Sequence, residues 1–425
     1  MVHSKPKYTM LNIALIVVIL AVAIWLELNR TQFAMPVSLI QKSLIFAVVA
    51  VSMNLLNGFT GLFSLGQAGF MAIGAYTTAI LTIPVERMES VYYMSGVANW
   101  LMALKHALAF IPGPIMVILA MLIGGVIAGV FAFLIGIPVL KLKSDYLAIA
   151  TLGFAEIVRA IISAPQFDRF TNGSYGLKNI PGFGILTSDG PLPNGLGTLT
   201  IPLILSFLLI GFIVLVINSS YGRAFKAMRE DEIAAEAMGI NLLKHKEMAF
   251  VISSFVTAMA GGMLAMFMRS IEAKAFSTIM TYDILLIVVI GGLGSISGSI
   301  LGAFVVTFAK DWFLRFFDTP LIIGGFQVPF LRIGFRMVIF SILLMVVVLF
   351  YRRGLMGSTE FSWQGLFNLF RRKAKRPEAL AETIGGAMSP IQIAPGRDQA
   401  PAPLIPDPPG PTPHIVEGEK EVGDE

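Results

Sequence analysis

The residues able to do chemistry in this chain are few, and they sit in apolar surroundings. Glu156 and Arg159 fall three apart inside an apolar run, a spacing that puts both on one face of a helix. A charge at mid-bilayer costs roughly 2.5–3.5 kcal/mol on insertion scales, so such residues default to a functional question. The pair either neutralises itself internally, the simpler reading, or meets the two charged ends of a zwitterionic solute. Asn54, Asn57, Ser64 and Gln67 are uncharged polar residues in apolar sequence, suited to line a passage for a polar solute. Asp283 and Asp311 are the other carboxylates near apolar runs, while Lys42 and Arg336 fall near run ends and can snorkel to the surface.

Several chemistries are excluded outright. The chain has no cysteine, which removes disulfides, thiolate metal sites and cysteine nucleophiles. Of four histidines, His3 and His414 lie in the tails and His106 and His245 in loops, with no metal-ligand spacing. No Gly-x-x-x-x-Gly-Lys-Ser/Thr phosphate loop occurs, so the chain does not itself cradle ATP.

The elements that position these residues must be membrane helices. Hydrophobic residues make up 56% of the 425 and charged residues 13%, against about 25% charged in ordinary globular chains. No soluble fold buries that much apolar surface. Ten runs are long enough to span: 11–28, 36–56, 66–84, 113–138, 146–163, 201–218, 247–268, 283–300, 301–317 and 333–351. Ala21-Val22-Ala23 offers a signal-peptide cleavage site, but the apolar run continues through Ile24, Trp25 and Leu26, which favours an uncleaved span. The net charge of +5 comes from Lys and Arg beside apolar runs, so it reads as orientation rather than nucleic-acid binding. Basic residues concentrate in the N-terminal tail, the 139–145 turn, the 219–246 loop and the C-terminal tail. The expectation is N-in, C-in.

The chain therefore divides into a cytoplasmic tail (1–10), a transmembrane domain (11–351), a basic interfacial segment (352–376) and a Pro-rich disordered tail (377–425). Two outer stretches stand apart. Residues 85–112 suit a short helix on the membrane surface, and 164–200 an ordered loop or cap.

Two breaks put glycines and hydroxyls at apolar depth: Asn57 to Gly69, and Gly291 to Gly298. Irregular backbone survives there only if protein buries it or a watery cavity solvates it. Gly61-Leu62-Phe63-Ser64-Leu65 and Gly292-Leu293-Gly294-Ser295-Ile296 share a Gly-Leu-x-Ser-aliphatic pattern, a hint of internal duplication. Gly294, Gly298 and Gly302 form a small-residue ladder suited to helix contact. Packing and passage-lining both remain open.

The internal loop 219–246 carries the densest charge, including Arg223, Arg229, Glu230, Asp231, Glu232 and Glu236. Its three consecutive acids suit a helix N-terminus, Ala235 and its neighbours propagate it, and Gly239 can stop it in the left-handed conformation. A helix of about two turns with Ile233, Ala234 and Ala237 on one side suits docking into a partner's groove.

That loop resembles the coupling segment of ABC-importer permeases, with Ile233-Ala234-Ala235 before Gly239 and the signature acid displaced to Glu232. The later hydrophobic-Leu-Pro part is absent. Asn54 to Gly66 looks like the second-span signature of branched-chain amino-acid permeases, and Leu142 to Phe154 with Glu156 and Arg159 matches their mid-chain signature. With Gly222-Arg223-Ala224 and Arg229 to Glu232, the chain over about 35–357 is similar to permeases of the LivM type. The 85–112 insert and the tail lie outside the likeness.

The resemblance implies an all-α ABC-importer permease fold in a bacterial cytoplasmic membrane and no cofactor of its own. It also implies two ATPase subunits that bind the ATP, a second homologous permease and an extracytoplasmic binding protein delivering Leu, Ile or Val. Urea and short-chain amide permeases are closely similar. A secondary transporter would instead use Glu156, Asp283 and Asp311 as ion sites. A membrane enzyme would need a nucleophile–base pair that the sequence lacks.

Overall fold

The computed structural model describes residues 6–142, 144–186 and 197–314, together with scattered positions between 322 and 360. Among the described residues there are fourteen α-helices. In order they are α1 (Pro6–Leu28), α2 (Ala34–Asn54), α3 (Gln67–Thr82), α4 (Val85–Val91), α5 (Asn99–Leu108), α6 (Gly113–Val139) and α7 (Ser144–Ser163). Then follow α8 (Asp168–Thr171), α9 (Thr200–Asn218), α10 (Ser220–Glu230), α11 (Glu232–Ala237), α12 (Leu242–Met268), α13 (Thr278–Gly291) and α14 (Ile296–Asp311). A short antiparallel pair, Ile322–Ile323 with Phe326–Gln327, accompanies them. Five helical segments are long and apolar enough to cross a membrane: Ala34–Thr60, Gly113–Val139, Tyr146–Ser163, Thr200–Asn218 and Leu242–Met268. Ala14–Leu28 and Thr278–Gly291 are apolar but shorter.

Several boundaries differ from the hydropathy reading, the first being that α1 begins at Pro6, within the expected 1–10 tail. The runs 283–300 and 301–317 are in fact α13 and α14, divided at 292–295. Apolar composition runs straight through that turn, and what marks it is backbone: Gly292 and Gly294 have φ of +117° and +85°. Helix α12 begins at Leu242 rather than 247, because the Asn241 side chain accepts from the Lys244 N–H at 3.0 Å and caps it. The run 333–351 with Arg336, the segment 352–376 and the tail 377–425 fall largely outside the described residues.

In lipid no hydrophobic force pulls helices together, so close approach through small residues sets the packing. Helix α12 packs most extensively against α3 and α6. Gly74 of α3 lies so near α12 that a Cβ there would stand 1.9 Å from the Ala258 carbonyl oxygen. One on Gly261 would meet the Met71 oxygen at 2.1 Å, and Gly124 of α6 packs on the Gly74 backbone.

Helix N-termini in this setting need acceptors for their first N–H groups. Three are capped in trans by carboxylates, that of α13 by Glu156 among them. Buried Glu27 of α1 accepts from the Gly197, Leu199 and Thr200 N–H groups and the Thr200 hydroxyl at the start of α9. Glu360 accepts from the N–H groups of Ile296 and Ser297, at 2.7 and 3.1 Å, at the start of α14.

The outer stretch 85–112 holds two helices, α4 and α5, rather than one. It packs on the 164–200 segment, where Asn172 donates to the Val91 carbonyl and Tyr92 donates to that of Phe170. Trp100 and Leu104 of α5 are exposed, while Lys105 turns inward and donates to the Ile83 carbonyl at the end of α3. Burial pulls the Lys105 ammonium down from 10.5 to about 8. Between those values the folded chain holds fewer protons than the unfolded one, so this residue's contribution to stability rises with pH across that window. Thermal unfolding in detergent should show the wild type gaining on Lys105→Met from pH 8 to 10.5, by on the order of 2 kcal/mol. A gap that stays constant with pH would contradict the assignment.

Candidate functional site

The loop between α9 and α12 folds as two short helices meeting at Asp231. Helix α10 buries Gly222, Phe225 and Met228 and leaves Arg223 exposed, with its guanidinium on the Ser220 hydroxyl at 3.0 Å. Lys226 lies over the Phe59 ring, 5.6 Å from its centroid. The chain then turns extended at Asp231, whose carboxylate accepts from the Ile233 and Ala234 N–H groups at 2.9 and 3.0 Å. That cap starts α11, and the end is equally defined. Gly239 has φ +85° and donates to the Glu236 carbonyl at 2.8 Å, while the Ile240 N–H reaches that of Ala235. This is a Schellman stop, with Gly239 left-handed as the sequence predicts. Glu232 pairs with Lys246 at 2.7 Å.

Only Ala235 of α11 is buried. Glu236 is exposed, as are Ile233 at 82% and Met238 at 83%. A six-residue helix held by both caps thus presents two large apolar side chains to the outside.

The glycine breaks lie directly behind α10. Helix α2 continues as a π-helical turn over Leu55–Thr60 and stops at Gly61, with φ +77°. The turn packs on the second break: a Cβ on Gly58 would lie 2.4 Å from the Gly294 nitrogen. Fully buried Asn54 joins the two. Its amide donates to the Ser295 carbonyl at 2.9 Å and the Ser299 hydroxyl at 2.7 Å, and its oxygen accepts from the Gly294 N–H at 2.8 Å. Arg229 comes from the other side, donating to the Gly58 carbonyl at 2.6 Å. A cavity of about 590 Å³ opens here, lined in part by Phe59, Lys226, Arg229, Glu230, Gly294 and Glu360.

The remaining polar candidates separate into two groups. Gln67 is buried and bonds Ser253 at 3.2 Å and Thr257 at 2.7 Å, and Ser52 also joins Ser253. Asn57 accepts from the Ser64 N–H at 3.1 Å, its own amide nitrogen buried without a partner, and Ser64 is itself fully buried. Glu156 and Arg159 pair with each other at 2.6 Å, and Glu156 also takes the N–H and hydroxyl of Thr278 at the start of α13. Lys42 holds Asp311 at 2.5 Å rather than simply snorkelling, and Lys310 holds Asp283. Ser52, Ser253 and Thr257 were not singled out from sequence. The signal was present in the hydroxyls of Ser253 and Thr257, four apart in the apolar run of α12. Among the described residues no cluster of metal-ligating side chains occurs.

Comparison with known proteins adds a family to this geometry. A family described as "Branched-chain amino acid transport system / permease component" matches residues 35–349. The "High-affinity branched-chain amino acid transport system permease protein LivM" of Escherichia coli (strain K12) is 30% identical over 347 residues, covering 76% of this chain and 73% of that protein. The "Probable branched-chain amino acid transport permease protein LivM" of Methanocaldococcus jannaschii is 25% identical, covering 72% and 89%. More distant is the "Autoinducer 2 import system permease protein LsrC" of Yersinia pseudotuberculosis serotype O:3 (strain YPIII), 26% identical over 59% of this chain and 68% of its own. No solved structure matches. The chain belongs to the family of permease components of branched-chain amino acid transport systems.

Proposed function

We propose that the chain is the membrane-spanning subunit of an ATP-driven importer and passes Leu, Ile or Val inward from an extracytoplasmic binding protein. The observation that carries the reading is α11, a doubly capped helix offering Ile233 and Met238 in a chain with no phosphate loop. An ATPase surface takes that helix, and the loop's Arg223, Arg229, Glu230, Asp231, Glu232, Ala235, Glu236 and Gly239 hold or frame it. Two ATPases and a second homologous permease complete the assembly. The chain crosses a bacterial cytoplasmic membrane about ten times, N-in and C-in, as its basic loops require. It needs no cofactor of its own.

Asn57, whose amide nitrogen has no partner among the described residues, offers it to the solute at the first break, and buried Ser64 shapes the wall beside it. Asn54, Gln67, Glu156 and Arg159, whose polar atoms bond within the protein, shape the wall. An ion-coupled mechanism finds little support, because Glu156, Asp283 and Asp311 each hold a cationic partner. Mild detergent extraction from the native membrane, with mass spectrometry of the eluate, tests the proposal. ATPase subunits and a second permease are expected to co-elute. A chain that elutes alone and moves leucine in liposomes under an ion gradient refutes it.

A further inference from the structure

We propose that Arg229 is a positioning residue, a strut that carries movement of the cytoplasmic helices into the two glycine breaks. The inference rests on the ATP-driven reading above. Arg229 is the penultimate residue of α10, two positions before the Asp231 junction with α11, so any tilt of α11 is delivered to it. Its guanidinium lies between the breaks. Nη1 donates to the Gly58 carbonyl of the π-helical turn at 2.6 Å, and a Cβ on Gly294 would stand 2.7 Å from that same Nη1. Gly61, where the turn ends, packs on the Arg229 stem, at 3.4 Å from a notional Cβ to its Cα and Cγ. One side chain therefore contacts both breaks.

Behind it Asn54 ties the same two segments together through Gly294, Ser295 and Ser299. The breaks are thus one mechanical unit, bonded on one side to α14 and on the other to α10. The π-helical turn and the positive-φ glycines Gly61, Gly292 and Gly294 are backbone that departs from regular helix and can change shape there. A charge-assisted hydrogen bond from a planar, always-charged guanidinium is a stiff link onto that unit. Nearby Lys226 meets the same turn by a softer contact, its ammonium lying over the Phe59 ring 5.6 Å from the centroid.

The test uses the complete transporter in proteoliposomes with its ATPases, partner permease and binding protein. Because the chain has no cysteine, Leu293→Cys, at a second-break position 42% exposed, is a single labelling site. ATP with vanadate is expected to change its maleimide labelling rate several-fold. Adding Arg229→Gln should abolish that change and lower leucine uptake per ATP hydrolysed at least tenfold, with the ATPases still bound. Arg229→Lys, which keeps charge and stem, should fall between. Loss of the ATPases from Arg229→Gln would make Arg229 a docking residue and overturn the strut. So would an unaltered labelling change with uptake per ATP within twofold of wild type in both variants. Wild-type complex that ignores ATP altogether would instead overturn the importer reading.

Discussion

Gly74→Leu should leave no correctly assembled permease in the membrane. Overpacking a core typically costs about 1–3 kcal/mol when neighbouring side chains can shift. Here the obstacle is backbone: the first added carbon would lie 1.9 Å from the Ala258 oxygen and 2.4 Å from its carbonyl carbon. Gly124 of α6 occupies the adjoining side, so α3 cannot slide away without parting from a second helix. The helices must separate, and the expected loss is more than about 3 kcal/mol, read as aggregation in gel filtration and a collapsed thermal midpoint. Gly153→Leu and Gly211→Leu provide the comparison. Neither position has an atom within 4 Å of a notional Cβ, and both gain helix propensity of up to about 1 kcal/mol. If all three variants behaved alike, the α3–α6–α12 junction would not be what holds the bundle together.

The sequence makes local features legible and hides those that depend on distant partners. Gly239 is readable because a helix stop follows from one residue and its neighbours, and the acidic start of α11 follows equally from Asp231. The α13–α14 boundary is not, because apolar residues continue on both sides of Gly292. Asn54 shows why polar residues in apolar sequence are ambiguous. Its type suits either a passage or a tie, and its bonds run to Ser295 and Ser299, more than 240 positions away. The same holds for Arg229, which sequence places in the charged coupling loop without showing that its guanidinium reaches the Gly58 carbonyl. The two breaks that share the Gly-Leu-x-Ser pattern pack on each other through Gly58 and Gly294.

Carboxylates in apolar runs invite a transport reading from sequence, and geometry supplies a second use for them. Glu156 sits where α13 begins, accepting the Thr278 N–H and hydroxyl, and Glu27 and Glu360 accept first-turn N–H groups at α9 and α14 in the same way. Asp283 and Asp311 are held by lysines of α14 and α2. Each charge is then matched by a cation or by a helix dipole. Glu247 of α12 differs from them: it is buried, and neither of its carboxylate oxygens has a partner among the described residues.

On the proposed reading energy enters through α11, and Ile233→Glu should then abolish ATP-driven uptake without harming the chain. Ile233 is 82% exposed, so the substitution breaks no internal contact, and exposed positions of this kind usually change stability by less than about 0.5 kcal/mol. The caps at Asp231 and Gly239 stay intact, so the helix keeps its shape. What changes is the docked state. A carboxylate would be buried against the ATPase without a partner, at the centre of a small interface whose other large apolar contact is Met238. Anchors of this type are worth about 2 kcal/mol or more, which corresponds to a thirtyfold or greater loss of affinity. Uptake should fall in proportion and the ATPases should wash away during purification, while Ile233→Leu retains both. Ile233→Glu with ATPases still bound and uptake undiminished would move the docking surface elsewhere on the loop, with the exposed face of α10 around Arg223 and Tyr221 the next place to look.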